Sequence, residues 1–282
     1  MTTQRPKEAL HFTIPARYYS RGSVDWEGPV PAKGYRGEKV KHVTLTTANT
    51  AITCVHPENY GYPGQPQVFG EAGTLAYYDL WFARYRTVIE QRLVPLFDAA
   101  RAAGLRILYI VNGWKTAENY PQYREIAARV DLPPPTWQAP ANPHTEWRAE
   151  RMDEILGKNY REDGDCDIAP PLAAQPQDWL TAWSQQASTL FNENGIWNIL
   201  FTGFEAASCL LNISGGVLPM AHLGYRCFIV EDCALALETR ETRGHEEIKR
   251  AFFSAVQLSG YCHIVNSKDI IEALTKATGG LQ

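Results

Sequence analysis

The sequence has no run of apolar residues that approaches the length of about 18 needed to span a membrane. Its first residues, MTTQRPKEAL, lack the apolar core of a signal peptide, so we expect a protein that is neither exported nor inserted. The six cysteines form no CxxC pair and do not have the spacing of a secreted disulfide scaffold. These absences predict a cytoplasmic protein with reduced thiols.

Glycine-rich nucleotide motifs are also missing. There is no GxGxxG and no P-loop, so we expect no nucleotide cofactor. The net charge is −4, and lysines and arginines are scattered rather than arranged in a stripe, which argues against a nucleic-acid surface or a polybasic membrane patch. We therefore expect small molecules or copies of the same chain as partners, and neither nucleic acid nor a membrane.

The composition is that of an ordinary globular protein, since 45% of the 282 residues are hydrophobic and 21% are charged. From residue 50 onward, short apolar runs such as LRILYIV alternate with helical patterns. Continuous apolar runs are typical of parallel strands covered on both faces. The pattern predicts an α/β fold with a single doubly wound parallel sheet of about six strands, flanked by helices on both faces in a Rossmann-like three-layer arrangement.

The sequence also allows predictions for the N-terminal segment, for an insertion and for two of the helices. Residues 1–46 are polar and aromatic-rich without a sustained period, which indicates an N-terminal arm that covers a neighbouring subunit, covers a pocket, or packs on its own domain. The domain at 47–282 carries a large insertion at 113–175. Helices are predicted at 75–103, where Pro95 would kink or divide the helix, and at 179–194.

The stretch 197–237 reads as strand, tight turn, helix and strand, with Cys209 where the turn becomes a helix. A thiol in the first turn of a helix faces unpaired N–H groups and the positive end of the helix dipole, which lower its pKa and favour the thiolate. The alternative is a buried apolar cysteine. Ligands in such sheets bind beyond the carboxyl ends of the strands, where the loops 56–62, 113–120 and 204–209 converge.

Aromatic residues are frequent in these loops and suggest a planar or apolar group beside the scissile bond, although they also suit simple loop packing. They are Tyr60, Tyr62, Trp114 and Tyr120.

Two segments, ILFTGFEAASCLL and AHLGYRCFIVEDCA, resemble the isochorismatase-like superfamily of cysteine hydrolases. The resemblance covers roughly residues 48–275, and its matching positions are Gly203, Phe204, Cys209, Gly224, Tyr225 and Asp232. It implies a hydrolase that cleaves an amide-type C–N bond or an ester bond of a small molecule through a thioacyl intermediate on Cys209. It also implies a homo-oligomer, as a dimer or tetramer.

The resemblance further implies a cis peptide between Phe204 and Glu205, and an oxyanion hole made by backbone N–H groups near Ser208 and Cys209. The nicotinamidase branch holds a metal with an Asp and two His after its second strand. The corresponding NGWKTAENYPQY has no His, so no metal is expected.

The catalytic partners of the family are replaced here. His56 stands where the family has its catalytic Asp, and no lysine occurs between Lys158 and Lys249, where the family has its catalytic Lys. The polar groups in that region are Gln177, Asp178 and Thr181.

Two main hypotheses follow. In the first, Cys209 is the nucleophile of a hydrolase, His56 is its base with a pKa near the ordinary 6.5, and Glu58 orients the imidazole or holds a water. Substrate contacts would come from Tyr60, Trp114 and Lys115, with Lys158 as a second candidate cation. In the second, the chain binds a small molecule or partner without turnover. A Rossmann-like oxidoreductase is disfavoured by the missing phosphate-binding glycines.

Overall fold

The computed structural model describes residues 9–20, 37–63, 72–130 and 166–279, and these form one mixed sheet with helices on both faces. The sheet has eight strands in the order β2-β1-β8-β7-β6-β3-β4-β5. They are β1 (His11–Ser20), β2 (Gly37–Thr46), β3 (Thr50–Val55), β4 (Arg106–Ile110), β5 (Trp179–Thr181), β6 (Asn198–Phe204), β7 (Arg226–Leu235) and β8 (Cys262–Val265).

Strands β3 to β8 pair in parallel with one another, which confirms the predicted doubly wound parallel sheet. The helices of the described residues are α1 (Ala72–Val88), α2 (Val94–Ala103), α3 (Pro121–Arg129), α4 (Ser184–Glu193), α5 (Cys209–Asn212), α6 (Val217–His222), α7 (Glu247–Ser259) and α8 (Ser267–Gly279). No helix in the described ranges is long and apolar enough to cross a membrane.

The sheet separates two buried clusters, one on each face. In β3, Ile52 and Cys54 join the cluster that includes α2 and α8, whereas Ala51 and Val55 join the cluster that includes α4, α6 and α7. Successive side chains of a strand point to opposite faces, so a strand covered on both sides must be apolar throughout. This is why the parallel strands appear in the sequence as continuous apolar runs.

The predicted N-terminal arm contains two strands that belong to the sheet. β1 and β2 pair antiparallel along their full length, and β1 joins the edge of β8 through Arg17 and Ile264. The alternating residues Phe12, Ile14 and Ala16 are buried. A period of two was therefore present, but it is short and contains a proline. Residues 1–8 and 21–36 of the arm, and 131–165 of the insertion, lie outside the described residues.

The helix predicted at 179–194 is wrong at its start. Residues Trp179–Thr181 form β5, which pairs with β4 and satisfies backbone groups that β4 would otherwise leave open at the sheet edge. Helix α4 begins only at Ser184. The side chain of Gln186, in its first turn, accepts hydrogen bonds from the N–H groups of Ala182 and Trp183, which precede the helix.

The helix predicted at 75–103 is divided, as Pro95 suggested. A π-helical turn at Ile89–Leu93 separates α1 from α2, and Pro95 lies in the first turn of α2, where no N–H partner is required. Gly104, in the left-handed conformation with a φ of 83°, ends α2.

Gly203 is the position in β6 that tolerates no side chain. Its φ is +111°, and a Cβ added there would lie 2.1 Å from the carbonyl oxygen of Val55 in β3. We expect Gly203→Ala to lower the free energy of unfolding by about 3 kcal/mol or more, because overpacking and backbone strain act together. Urea denaturation followed by circular dichroism measures this loss.

The matched control is Gly244→Ala, since an added Cβ at Gly244 has no atom within 4 Å. It should change the free energy of unfolding by less than about 1 kcal/mol. Equal stability of the two variants would contradict the close approach of β6 to β3.

Candidate functional site

The turn that carries Cys209 is held to the end of β7 by Glu205. The peptide bond between Phe204 and Glu205 is cis, which is the geometry that the resemblance implies. The Glu205 carboxylate accepts a hydrogen bond from the Leu237 N–H at 2.9 Å and another from the Ala207 backbone. Burial raises the pKa of Glu205, and these two donors oppose that shift. Glu205 therefore shapes the turn and does not point freely into solvent.

Cys209 is the first residue of α5 and is half-buried. Burial raises its pKa above the ordinary value, and the nearby carboxylates of Glu58 and Glu205 raise it further. Hydrogen bonds from the Ser208 hydroxyl and the Glu205 backbone only partly oppose this. The predicted lowering of the pKa is wrong because burial outweighs these hydrogen bonds, and α5, with four residues, has only a small dipole to oppose it. The resting group is a neutral thiol.

His56 follows β3 directly and adopts a left-handed conformation with a φ of 48°. Its N–H donates to the Ile110 carbonyl at 3.2 Å, and its carbonyl accepts from the Tyr85 hydroxyl at 3.2 Å. The imidazole packs against Trp114, with ring centres 6.2 Å apart. Its Nε2 is buried and has no hydrogen-bond partner. The backbone is thus fixed, and the ring lies buried beside the Asn112 side chain, which acts on it through a hydrogen bond.

The expected pKa of His56 near 6.5 is wrong. Burial lowers the pKa of His56 to about 4, and the Asn112 side chain only partly opposes this shift. The imidazole is therefore neutral at neutral pH. A neutral ring offers one N–H donor and one acceptor nitrogen, but it cannot stabilise a thiolate as an imidazolium does.

Glu58 is the acidic group that the fold brings to both His56 and Cys209. Its Oε1 lies 4.0 Å from Nδ1 of His56, and its charge acts on the Cys209 thiol. The Glu58 carbonyl accepts from the Tyr85 hydroxyl at 2.8 Å, and a β-bridge joins Glu58 to Ile168. The carboxylate therefore stands on a loop that is held on two sides.

The tyrosines predicted to line the pocket are engaged in holding loops together. The Tyr60 hydroxyl lies 3.2 Å from the Cys166 sulfur, and the Tyr62 hydroxyl donates to Glu90 at 3.2 Å. Tyr120 donates to Asp167. These contacts favour the alternative of loop packing, which leaves Trp114 as the aromatic residue beside His56.

The two candidate lysines differ in what the structure shows. Lys115 is exposed at the start of a short 3₁₀ turn. Lys158 lies outside the described residues.

The polar residues in the region where the family has its lysine make contacts within the fold or face solvent. Asp178 is buried and forms an ion pair with Arg101 at 2.7 Å, and it also accepts from the Gln175 N–H at 2.8 Å. Gln177 is exposed, and Thr181 is fully buried in β5. Within the described ranges, no three His, Cys, Asp or Glu side chains are grouped so that they could hold a metal ion.

Asn112 is a site neighbour that the sequence reasoning missed. Its side-chain amide donates to the carbonyls of Ala182 and Ser214, and its Oδ1 is buried without a hydrogen-bond partner. Asn112 thus joins the ends of β4 and β5 to the loop after α5 and acts on His56. The available signal was the Asn-Gly pair directly after a buried strand.

Asp232, which matches an Asp of the family motif, caps a helix here. Its carboxylate accepts hydrogen bonds from the N–H of Ser267 at 2.8 Å and from the Ser267 hydroxyl at 2.5 Å. Negative charge at the first turn of α8 is favourable because four N–H groups there lack helical partners.

One curated protein is similar to part of this chain. Ureidoacrylate amidohydrolase RutB of Pantoea ananatis is 31% identical over 120 residues, which are 40% of this chain and 44% of that enzyme. The chain thus spans less than half the length of this curated relative. No protein-family model matches the chain.

Two solved structures are similar to the chain at low sequence identity. A cysteine hydrolase from Pseudomonas syringae has a TM-score of 0.49 and 15% identity, covering 83% of this chain and 95% of that one. An isochorismatase family protein from Desulfovibrio vulgaris has a TM-score of 0.45 and 15% identity, with coverage of 80% and 98%.

The buried neutral His56 should make stability depend on pH. Because its folded pKa is about 4 and an unfolded His titrates near 6.5, the unfolded chain binds more protons between these values. The contribution of His56 to the free energy of unfolding is fully present above pH 6.5 and is lost as the pH falls toward 4. The stability difference between wild type and His56→Gln should therefore shift by about 3 kcal/mol over this range.

Urea denaturation at pH 7, 5.5 and 4 measures that difference. His222→Gln, at an exposed position, is the matched control and should follow the wild-type pH dependence. A His56→Gln variant whose pH dependence also equals that of the wild type would show that His56 is not buried neutral.

Proposed function

We propose that this protein is a cysteine-dependent hydrolase that cleaves an amide-type C–N bond, or an ester bond, of a small molecule through a thioacyl intermediate on Cys209. The observation that carries the proposal is the Glu58 carboxylate, which acts on the half-buried Cys209 thiol at the carboxyl edge of the sheet. The curated relative, named an amidohydrolase, supports the choice of a C–N bond. A cytoplasmic location and a homo-oligomeric state stay predictions from the sequence.

In the proposed reaction, Glu58 is the general base. It takes the proton of the Cys209 thiol as the sulfur attacks the carbonyl carbon, so a C–S bond forms and the carbonyl oxygen becomes negative. Backbone N–H groups of the 204–209 turn are the proposed donors to that oxygen. The C–N bond then breaks, and the proton on Glu58 passes to the leaving nitrogen.

Water completes the cycle. Glu58 removes a proton from a water molecule that attacks the thioacyl carbon, the C–S bond breaks, and the proton returns to the Cys209 sulfur. The products are a carboxylic or carbamic acid and an amine, or an alcohol where the substrate is an ester. No oxidant or metal enters this balance.

His56 has a positioning part in this proposal. A neutral imidazole with its proton on Nδ1 can donate toward Glu58, whose Oε1 lies 4.0 Å away, and tighten that contact when substrate binds. Asn112, whose side chain acts on the imidazole through a hydrogen bond, helps to hold the ring in place.

The alternative is binding without turnover, and the raised pKa of Cys209 favours it, because little thiolate exists at rest. The two functions differ in one measurable event, which is the transfer of an acyl group to Cys209. Intact-protein mass spectrometry after an acid quench detects that transfer.

The first test of catalysis uses ureidoacrylate, simple N-carbamoyl compounds and p-nitrophenyl acetate as substrates. We expect a Cys209-bound acyl adduct in the wild type and none in Cys209→Ala. Glu58→Gln should lower kcat/KM by roughly 10²- to 10⁴-fold, the usual contribution of a general base. Stopped-flow kinetics and mass spectrometry give both values.

The control for charge is Glu272→Gln, which removes a carboxylate from the exposed pair with Lys268 and should leave kcat/KM within about twofold. Turnover that survives Cys209→Ala would contradict the nucleophile. Tight binding of these compounds without an adduct in any variant would establish the alternative function.

Alkylation tests the contact between Glu58 and Cys209 independently of turnover. All six cysteines lie in the described part of the chain, and five are buried, so iodoacetamide should label Cys209 first. Because the Glu58 charge contributes to the raised pKa of Cys209, Glu58→Gln should increase its labelling rate at pH 7.5.

The labelling rate is read by peptide mass spectrometry at several times. Glu272→Gln serves again as the control and should not change it. An unchanged rate in Glu58→Gln would place the carboxylate too far from the sulfur to act as its base.

A further inference from the structure

Tyr85 is a fully buried residue of α1 that contacts both halves of the proposed site. Its hydroxyl donates to the carbonyl oxygen of Glu58 at 2.8 Å and lies 3.2 Å from the carbonyl oxygen of His56. Its ring packs against Phe204, with the ring centres 4.0 Å apart. Because Phe204 begins the turn that carries Cys209, one side chain connects the loop of the proposed base to the turn of the proposed nucleophile.

The hydroxyl of Tyr85 is not needed to fill the core, since phenylalanine has the same ring. The ring lies among other aromatic rings, 4.8 Å from that of Trp81 and 6.5 Å from that of Tyr60. A hydroxyl that is removed from water needs hydrogen-bond partners. Within the described ranges, the partners of this hydroxyl are the two backbone carbonyls of the loop that carries Glu58. The group that distinguishes tyrosine from phenylalanine is therefore directed at that loop.

The Tyr85 hydroxyl keeps its proton at neutral pH. Burial raises the pKa of Tyr85 well above its ordinary value, and the charge of Glu58 raises it further. A phenol has one proton to donate, so the shorter contact, to the carbonyl of Glu58, is the principal hydrogen bond. The hydroxyl is therefore a permanent donor to the backbone of the residue that carries the proposed base.

A second set of contacts holds the same loop. Glu58 pairs with Ile168 in an antiparallel β-bridge, and the N–H of Ala169 donates to the Pro57 carbonyl at 2.7 Å. Together with the Tyr85 hydroxyl, these contacts fix the backbone from which the Glu58 side chain extends. The direction of the carboxylate thus depends on backbone hydrogen bonds, and that of Tyr85 is the one that also connects to the Cys209 turn.

We propose that Tyr85 is a positioning residue, which holds the Glu58 carboxylate in place beside the Cys209 turn through its hydroxyl and its ring. The inference rests on the proposed function, in which Glu58 takes the proton of the thiol. Proton transfer requires hydrogen-bond contact between the base and the proton donor, so a small displacement of the base slows the chemical step. Loss of the hydroxyl should therefore affect the rate of acyl transfer more than the binding of substrate.

The first test needs no turnover and uses four proteins, which are the wild type, Tyr85→Phe, Glu58→Gln and the double variant. Iodoacetamide labelling of Cys209 at pH 7.5 is followed by peptide mass spectrometry. Glu58→Gln should increase the labelling rate in the wild-type background, because it removes a charge that raises the pKa of Cys209. In the Tyr85→Phe background its effect should fall to about half that factor or less, because a displaced carboxylate acts less on the sulfur.

The second test measures acylation by stopped-flow release of p-nitrophenolate from p-nitrophenyl acetate. Tyr85→Phe should lower the maximal acylation rate by roughly 10- to 100-fold and change the half-saturating concentration by less than about threefold. Tyr225→Phe is the matched control, because Tyr225 is also buried and its hydroxyl bonds to Ser188 at 2.9 Å, directly before the amino end of β7. It should leave the acylation rate within about twofold. Thermal denaturation should give the two variants a similar Tm, since each loses one buried hydroxyl.

The outcomes separate the role of Tyr85 from the proposed function. An effect of Glu58→Gln that is equal in the two backgrounds would overturn the positioning role, as would equal acylation rates in Tyr85→Phe and Tyr225→Phe. The absence of an acyl adduct in the wild type would instead contradict the proposed function. The labelling rates would then still decide whether Tyr85 holds Glu58 near the sulfur.

Discussion

The close approach of two backbones, at Gly203 of β6 and Val55 of β3, is the constraint on which the site depends. With no Cβ at Gly203, the two strands come close enough that the Val55 carbonyl occupies the space of a side chain. The residues directly after these strands are His56 on one side and the cis turn at Phe204–Glu205 on the other. The same contact therefore places the loop with Glu58 beside the turn with Cys209. A larger residue at position 203 would separate the two halves of the site before it changed any catalytic group.

Burial then decides the protonation states at this edge. Removing a group from water disfavours its charged form, which keeps the Cys209 thiol and the His56 imidazole neutral at rest. An activated thiolate–imidazolium pair would need the opposite balance. Because both groups are neutral, the base in the mechanism that we propose is a carboxylate, and Glu58 would take the part that the resemblance gives to an Asp at the end of the first strand. The left-handed backbone of His56 turns the loop that carries Glu58, whose charge acts on the Cys209 thiol.

Much of the fold was predictable because it depends on local pattern. The continuous apolar strands and the helices between them required burial on both faces of one sheet, and the parallel order followed. The antiparallel strands β1 and β2 were missed because the period of two in β1 is short and contains a proline, and the three-residue strand β5 was missed because it depends on pairing with the edge of β4. The Cys209 turn was predictable from its motif. The pKa values of Cys209 and His56 were not, because they depend on how completely residues distant in the sequence exclude water.

The charges at the carboxyl edge of the sheet bear on when the nucleophile forms. Burial raises the pKa of Cys209, and the negative charges of Glu58 and Glu205 raise it further, so the thiol is protected at rest. In the mechanism that we propose, transfer of the thiol proton to Glu58 removes the charge of that carboxylate as the sulfur attacks. The repulsion that keeps the thiol neutral at rest is therefore lost in the step that needs the nucleophile.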